Sequence, residues 1–291
     1  MQKRTKQYIE TIKKYFSDLE ISQTKPDFSG ENSDVILINR EIIFRFPKYI
    51  TGIKSLSNEI AILRTLHSQL PIPIPIPLYV NLQSENPGEV FTGHKIIPGE
   101  SLWREKFHKI KEPLIIKKIA KQLAEFIHEL HAVPLETLPF LKEVNDKVSE
   151  VQQLYSDFKH YLYSHMRPDA CSSVTRDFES FFENSEIHPF EPCLRHGDFG
   201  PSNILYDPAK KKISGVIDFG STGIGDPAYD LASVSCFGND FLNLFCEIYP
   251  ASDNMLARAR FFKSTFALME ALHGAKNNDP QAFENGIKTY R

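Results

Sequence analysis

Apolar residues recur at helical spacing in some stretches of the chain and alternate with polar residues in others. Residues 7–20 predict an amphipathic helix that opens the chain, with its apolar side chains at intervals of three and four: Ile9, Ile12, Tyr15, Phe16 and Leu19. The stretch 26–50 follows a different pattern, which predicts a strand, a turn at Asn39–Arg40 and a second strand.

Helical spacing returns at residues 55–69, where four apolar residues define one face: Leu56, Ile60, Leu63 and Leu66. Prolines then alternate with isoleucines over 71–77, and this pattern predicts a stiff, extended connector because proline removes a backbone donor and disrupts helices. A strand is predicted at 89–97. The Pro98-Gly99 pair after it marks the point where we expect the chain to leave one lobe for another.

The remainder of the chain is predicted to be mainly helical. A long amphipathic helix is expected at 112–133, and two short strands are expected at 203–206 and 213–217. Further helical patterns follow at 145–165, 175–184, 228–235, 239–248, 255–273 and 280–290. We therefore expect an α+β fold with a small lobe over residues 1–97 and a larger, mainly helical lobe over 98–291.

Composition and charge exclude several classes of protein. The chain has 34 lysine and arginine residues and 37 acidic residues, which gives a net charge of −3. It contains no large basic block, so a nucleic-acid partner is not expected. No run approaches 18 apolar residues, so no membrane span is expected, and the N-terminus lacks the apolar region of a signal peptide. The four cysteines have no CxxC spacing, which disfavours a zinc ribbon or a disulfide framework. We expect a cytoplasmic monomer.

The segment 194–220 carries the chemistry. Asp198 is followed five positions later by Asn203, and an apolar strand then ends in Asp218-Phe219-Gly220. Phosphoryl transfer from a nucleotide needs a carboxylate that orients the acceptor hydroxyl, and oxygen ligands that hold Mg²⁺. Asp198 is the candidate base, and Asn203 and Asp218 are the candidate metal ligands.

Three neighbouring residues are expected to support this segment rather than react. His196 is interpreted as a hydrogen-bonded histidine that props the loop. Asp226 and Asp230 are interpreted as residues that cap a helix and brace the same loop.

Two stretches resemble a known family. HGDFGPSNIL followed by GVIDFGSTGIGDPAYDLA is similar to the catalytic signature of the aminoglycoside phosphotransferase and antibiotic kinase family, whose fold is similar to that of protein kinases. FSGENSDVILINREIIFRFPK is similar to the nucleotide-loop region of the aminoglycoside 2''-phosphotransferases. The resemblance implies a two-lobe, protein-kinase-like fold and transfer of the γ-phosphate of ATP or GTP to an antibiotic hydroxyl. It places Asp198 on the catalytic aspartate, and Asn203 and Asp218 on the metal ligands.

The resemblance also places Arg45 where a protein kinase has the strand lysine that contacts the phosphates, with Glu59 as its partner. Arginine departs from the kinase pattern, although its planar fork also binds phosphate oxygens. Lys48 is a neighbouring candidate, but strand alternation directs its side chain to the opposite face from Arg45.

The loop at 29–34 has a single glycine. The Ser29 and Ser33 hydroxyls are therefore expected to donate hydrogen bonds to the phosphates, in place of the backbone N–H groups of a glycine-rich loop. The nucleotide base is expected to be recognised by backbone groups over Lys95–Ile97, and nothing in the sequence separates ATP from GTP.

The acceptor is the least defined element. A polycationic aminoglycoside needs several carboxylates, and the candidates are few: Asp240, Glu247 and Glu270. A macrolide bound against aromatic residues is the alternative, with three candidates: Phe237, Phe241 and Phe245. We expect a small-molecule O-phosphotransferase acting on an aminoglycoside. The alternatives are a macrolide kinase, a sugar or amino-alcohol kinase, and a nucleotide-binding regulator without transfer activity.

Overall fold

The computed structural model describes residues 2–30, 32–141 and 148–291. Its N-terminal region forms an antiparallel sheet. One helix precedes the first strand, and a second helix lies between the third and fourth strands. The elements are α1 (Gln2–Tyr15), β1 (Thr24–Asp27), β2 (Ser33–Ile38), β3 (Ile42–Pro47), α2 (Ile50–Leu66), β4 (Tyr79–Asn81) and β5 (Phe91–Lys95). The sheet order is β1-β2-β3-β5-β4.

The β2–β3 hairpin fixes which side chains face the core. Asn39 and Arg40 are the central residues of a turn that the Glu41 N–H closes by donating to the Ile38 carbonyl, and both have positive φ angles, of 52° and 58°, as a type I′ turn requires. Three residues separate the paired positions Ile38 and Ile42. Alternation along the strands buries one face, on which Tyr8 and Ile12 of α1 pack: Ile36, Ile38, Phe44 and Phe46. Arg45 therefore lies on the other face of the sheet.

Helix α2 begins five residues before the predicted start: Ile53 continues the apolar spacing of Leu56 and Ile60, but Thr51 and Gly52 interrupt the pattern in the first turn. The proline connector has no regular structure, as predicted. Ile72 and Ile74 are buried, and the Pro73 carbonyl accepts a hydrogen bond of 3.0 Å from the Val216 backbone N–H. The connector thus joins the sheet region to the helical region.

The remainder of the chain is mainly helical. It contains β6 (Glu100–Ser101), α3 (Arg104–Phe107), α4 (Pro113–His131), α5 (Ser149–Tyr161), α6 (Pro168–Glu183), β7 (Cys193–Arg195), β8 (Ile204–Asp207), β9 (Lys212–Val216), β10 (Gly223–Gly225), α7 (Ala228–Val234), α8 (Asn239–Cys246), α9 (Asp253–Asn277) and α10 (Pro280–Ile287). Strands β6, β8 and β9 pair in that order, and β10 pairs with β7. The predicted α+β class is confirmed.

Some predicted elements have different bounds. The helix expected at 175–184 starts at Pro168, where proline occupies the first helical turn. Of the helix expected at 145–165, residues 145–147 lie outside the described residues, and the described part is α5 followed by a short 3₁₀ turn at Tyr163–His165.

Two negative observations concern the described residues. None of their helices is long and apolar enough to cross a membrane. All four cysteines are among them and are free: Cys171, Cys193, Cys236 and Cys246.

Candidate active site

Arg45 connects the two regions of the molecule. Its Nη1 donates to Glu59 Oε1 on α2 at 2.7 Å, and its Nη2 donates to Asp218 Oδ1 at 3.0 Å. The Arg45 and Glu59 side chains are 20% and 6% exposed, and that of Asp218 is 45% exposed. The fork of one guanidinium thus holds a carboxylate from each region.

The charges of this triad shift each other's pKa. The positive charge of Arg45 lowers the pKa of Asp218, so this carboxylate stays ionised at neutral pH. Burial raises the pKa of Glu59, against the attraction of Arg45. Burial lowers the pKa of Arg45, but the two carboxylates more than compensate and raise it above its ordinary value.

Asp218 has an unusual backbone conformation, with a φ of 64° and a ψ of 72°. Its carboxylate accepts a hydrogen bond from the Gly220 backbone N–H as well as from Arg45. A left-handed non-glycine residue costs about 1–3 kcal/mol and persists where its surroundings hold it. The two contacts do this here, and they direct the carboxylate toward Arg45.

Asp198 and Asn203 lie in the loop between β7 and β8. The Asn203 Nδ2 donates to the Asp198 backbone oxygen at 2.9 Å and to its Oδ2 at 2.8 Å. Asn203 is buried, whereas Asp198 is exposed. The amide nitrogen is thus committed to positioning the Asp198 carboxylate, and the amide oxygen is the end that can face a cation.

Buried residues support this loop from below, as the sequence predicts. The Asp230 carboxylate accepts hydrogen bonds from the His196 and Gly197 backbone N–H groups at 2.7 and 2.9 Å. His196 Nδ1 accepts from the Asp198 N–H at 3.2 Å, and burial lowers the pKa of His196. His131, which no sequence signal singled out, lies 3.0 Å from Asp230 through its Nε2.

Asp226 braces the second side of the site. It accepts from the Ala228 N–H at the start of α7, and it pairs with Arg258 through two hydrogen bonds of 2.6 and 3.1 Å. Both partners are almost fully buried. Asp226 thus accepts a hydrogen bond at the start of α7, although Pro227 and not Asp226 is the N-cap residue of that helix.

Four of these residues meet in one cavity of about 250 Å³, which we call the polar cavity: Arg45, Glu59, Asp198 and Asp218. Asn203 does not line this cavity itself but contacts Asp198, which does. Its lining includes Ser33, Arg45, Glu59, Asp198, Asp218 and Ser221. The structure therefore brings together residues separated by up to 188 positions along the chain.

The two loop serines are placed differently. Ser33 lines the polar cavity, but the Ser29 hydroxyl donates to Asp27 Oδ1 at 2.6 Å and the residue does not line the cavity. Lys48 also faces away, since its Nζ donates to the Phe28 carbonyl at 3.1 Å and to the Gly30 carbonyl. Strand alternation correctly separated Lys48 from Arg45.

Lys95 and Ile97 lie at the end of β5 and just beyond it, outside the polar cavity. Lys95 pairs with Ile42, three residues along β3 from Arg45, which corresponds to about 10 Å. The Lys95 carbonyl is 2.8 Å from His94 Nδ1. Lys95 is therefore in the same sheet as Arg45 but on a separate part of it, and Ile97 lies beyond the end of the strand.

A second cavity, of about 290 Å³, adjoins the first at Ser221 and was not anticipated from the sequence. We call it the aromatic cavity, and its lining includes Leu154, Phe181, Phe190, Tyr229, Phe262 and Met269. Its charged residues are paired: Arg258 with Asp226 at 2.6 Å, and Arg195 with Glu150 at 3.8 Å. The Arg195 guanidinium also lies 4.7 Å from the centre of the Tyr229 ring.

The acceptor residues suggested by the sequence lie elsewhere. Phe237, Phe241 and Phe245 are buried in the helical core, and Phe237 and Phe241 also line a separate cavity of about 650 Å³. Asp240 lines a separate cavity with Phe107 and Phe237, and Glu247 is 3.8 Å from Lys117 on the surface. Glu270 is half-buried, next to Met269 of the aromatic cavity.

The donor set suits magnesium. Mg²⁺ in nucleotide sites takes one or two protein oxygen ligands, with phosphate oxygens and water completing its octahedron. Asn203 and Asp218 offer an amide and a carboxylate oxygen of this kind. Consistent with so small a protein contribution, no cluster of three His, Cys, Asp or Glu side chains suited to a metal occurs within residues 2–30, 32–141 and 148–291.

Comparison of the sequence with known proteins gives relatives that match slightly under two thirds of the chain. Viomycin phosphotransferase of Streptomyces vinaceus is 35% identical over 186 residues, which cover 62% of this chain and 64% of that protein. An aminoglycoside 3'-phosphotransferase of Escherichia coli is 27% identical over 187 residues, or 63% of this chain and 64% of the relative. The chain thus spans slightly under two thirds of the length of each.

The fold matches more completely. A solved structure of the GDP and kanamycin complex of APH(2")-IIia superposes with a TM-score of 0.88 at 25% identity, covering 97% of this chain and 96% of the other. The family model described as "Phosphotransferase enzyme family" matches residues 21–273, a range that includes the whole polar cavity. The chain therefore belongs to the phosphotransferase enzyme family.

Proposed function

We propose that this protein transfers the γ-phosphate of ATP or GTP to a hydroxyl of a small-molecule antibiotic. The observation that carries the proposal is the Arg45 bridge between Glu59 and Asp218, which faces Asp198 across the polar cavity. Family membership and the GDP and kanamycin complex of a structural relative support it.

In this proposal each residue has a defined role. Arg45 contacts phosphate oxygens and neutralises their charge, and Glu59 holds its guanidinium in place. Asp198 accepts a hydrogen bond from the acceptor hydroxyl and takes its proton as the new P–O bond forms. Asn203 and Asp218 hold Mg²⁺, which neutralises charge on the phosphates when bound. Transfer is in line: the acceptor oxygen attacks the γ-phosphorus on the side opposite the oxygen that joins it to the β-phosphate, and that bond breaks to release ADP or GDP.

The donor is proposed to lie between the region of residues 1–97 and that of 98–291. Its phosphates would contact Ser33 and Arg45, and its base the backbone at Lys95–Ile97. Ser29 stays the weakest of these candidates, because its hydroxyl is bonded to Asp27. The proposal includes a monomeric, cytoplasmic enzyme with no nucleic-acid partner, and the four free thiols suit a reducing compartment.

The aromatic cavity favours a second candidate acceptor. An aminoglycoside carries several amines, and each needs a carboxylate in a partly desolvated site. The cavity's described carboxylates, Glu150 and Asp226, already face Arg195 and Arg258. Its apolar walls suit a less charged acceptor with an apolar face, such as a macrolide.

A screen of nucleotide turnover with Mg²⁺ tests the proposal. ATP and GTP are each combined with kanamycin, viomycin, a macrolide, and simple sugars and amino alcohols, and mass spectrometry of the acceptor reports the added phosphoryl group. Phosphorylation of kanamycin or viomycin supports an acceptor that carries several amines. Phosphorylation of the macrolide alone supports the less charged acceptor with an apolar face. Nucleotide binding without transfer to any acceptor would favour a regulatory protein instead.

A further inference from the structure

A buried charge cluster lies behind the loop that reaches the polar cavity. Asp34, the second residue of β2, is fully buried and follows Asn32 and Ser33, both of which line that cavity. Resting on the proposed function, we propose that helix α1, through Asp34 and Lys48, positions this loop for the nucleotide phosphates. The residues involved are positioning residues, since Arg4, Tyr8, Asp34 and Lys48 do not line the cavity in the described part of the chain.

Helix α1 supplies the partners of the Asp34 carboxylate. The Tyr8 hydroxyl donates to Asp34 Oδ2 at 2.5 Å, and the Arg4 guanidinium forms an ion pair with the same oxygen. A buried carboxylate is tolerated only when it is paired and hydrogen-bonded, because the interior does not replace its hydration. The hydrogen bond and one ion pair of the Asp34 carboxylate thus depend on α1, an element that precedes the sheet and contributes no described residue to the lining of the polar cavity.

Lys48 carries the effect from Asp34 to the loop. Its Nζ lies 3.6 Å from Asp34 Oδ1 and donates to the carbonyls of Phe28 and Gly30. Its backbone N–H donates to the Asn32 carbonyl at 3.0 Å. One lysine therefore contacts three carbonyl groups on both sides of the loop, and Asp34 attracts the lysine by charge, since Asp34 Oδ1 has no hydrogen-bond partner.

Ring contacts make the same connection a rigid one. The Tyr8 ring stacks on Phe46 with centroids 4.1 Å apart, and Phe46 is the immediate neighbour of Arg45 on β3. The Arg4 guanidinium lies 5.1 Å from the centre of the Phe28 ring, at the start of the loop. A displacement of α1 would consequently reach both the loop and the strand that carries Arg45.

This arrangement predicts an effect confined to phosphate binding. A loop that is already held in place loses little conformational entropy when phosphates bind, whereas a released loop must be ordered by the ligand. Loosening the cluster should therefore raise the KM for the nucleoside triphosphate. It should leave kcat and the KM for the acceptor nearly unchanged, because Asp198 and the aromatic cavity are on other elements.

The test compares Tyr8→Phe, Asp34→Asn and the matched control Tyr15→Phe, another tyrosine on α1 that packs on the same core. Calorimetry measures binding of the preferred nucleoside triphosphate and of the corresponding nucleoside, and steady-state kinetics gives both KM values and kcat. We expect triphosphate affinity to fall about fivefold in Tyr8→Phe and about tenfold or more in Asp34→Asn, as for the loss of hydrogen bonds to a buried charge. Nucleoside affinity and the Tyr15→Phe control should not change.

Tyr8→Phe is the decisive variant, because it keeps the stacked ring and leaves Asp34 with both of its cations. In the Asp34→Asn background, Tyr8→Phe should add little to the loss, because both act through one carboxylate. Unchanged triphosphate affinity in Tyr8→Phe, or equal losses for triphosphate and nucleoside, would overturn the proposal while leaving the proposed function intact. Absence of nucleotide binding by the wild type would overturn both.

Discussion

The polar and aromatic cavities meet at Ser221 but are built in opposite ways. In the polar cavity, charged groups of both signs are exposed to the interior of the cleft, and Arg45 bridges two carboxylates. In the aromatic cavity the charges are paired with each other in the walls, and rings and aliphatic chains form the remaining surface. The first is suited to a highly charged ligand and the second to a ligand with an apolar face.

The difference indicates which half of the reaction is fixed and which is variable. A triphosphate demands the same charges in any enzyme that uses it, so the polar cavity has little freedom. The aromatic cavity must only present a hydroxyl to Asp198, and many ring and aliphatic combinations do this. We therefore expect substitutions in the two cavities to separate donor from acceptor parameters.

The largest effect is expected at Asp198, which lines the polar cavity next to Gly197 of the aromatic cavity. Asp198→Asn preserves an acceptor for the Asn203 amide but removes the negative charge that takes the hydroxyl proton, so kcat should fall by about 10²- to 10⁴-fold. Nucleotide affinity, measured by calorimetry, should stay close to that of the wild type. Asp240→Asn, which lies on a separate cavity, is the control. Retained turnover in Asp198→Asn would remove Asp198 from the mechanism.

The next effect isolates the polar cavity. Arg45→Lys keeps the positive charge but cannot hold Glu59 and Asp218 with one planar fork. We expect kcat/KM for the nucleotide to fall about 10- to 100-fold, equivalent to one lost charged hydrogen bond. The KM for the acceptor should not change, and Arg40→Lys in the exposed turn serves as control. An equal loss in both KM values would show that the two cavities are not independent.

The same contrast decides what the sequence could predict. Asp198, Asn203 and Asp218 lie within 21 positions, and the spacing of residues in a loop and a hairpin is enough to bring them together. The sequence did not show that Ser33 lines the polar cavity and Ser29 does not. The Ser29 hydroxyl donates to Asp27 instead, across a turn whose geometry the sequence does not specify. The start of α2 was missed because Thr51 and Gly52 interrupt its first turn, although Ile53 continues the apolar spacing of the helix.

The aromatic cavity lay beyond such reasoning. Its rings come from α6, α7, α9 and a connecting segment, so only tertiary packing reveals which aromatic residues share a wall. Phe241 and Phe245 form a buried face of α8, whereas Phe237 lies in the turn before that helix, and Phe237 and Phe241 also line a separate cavity. Helical spacing of apolar residues shows that one face of a helix is covered. It does not show whether a ligand or a neighbouring helix covers that face.

A smaller effect is expected in the aromatic cavity. Tyr229→Leu retains an apolar surface but removes the ring beneath the Arg195 guanidinium. The KM for the acceptor should rise about tenfold, comparable to the loss of part of an aromatic side chain's buried apolar surface, while the nucleotide KM stays constant. Steady-state kinetics with each substrate varied in turn measures this, with the surface variant Tyr161→Leu as control. A change in nucleotide KM alone would mean that the donor extends into this cavity.

The smallest effect concerns the support beneath both cavities. Burial lowers the pKa of His196, and its Nδ1 accepts a hydrogen bond from the Asp198 N–H, so the folded state favours the neutral ring. This contribution is fully present above the ordinary histidine pKa of about 6.5 and is lost as the pH falls from there toward the lower folded-state value. The free energy of unfolding should decrease by about 1 kcal/mol per pH unit over that range.

His196→Asn tests this assignment, because an amide oxygen can accept the same backbone hydrogen bond without titrating. Urea unfolding at pH 7.5, 6.5 and 5.5 should give a shallower pH dependence in this variant than in the wild type, and the exposed-site control His67→Asn should match the wild type. The paired carboxylates Asp218 and Asp230, whose pKa values are lowered, lose their contribution only at more acidic pH and do not interfere. Identical slopes in wild type and His196→Asn would show that the loop between the two cavities does not depend on a neutral histidine.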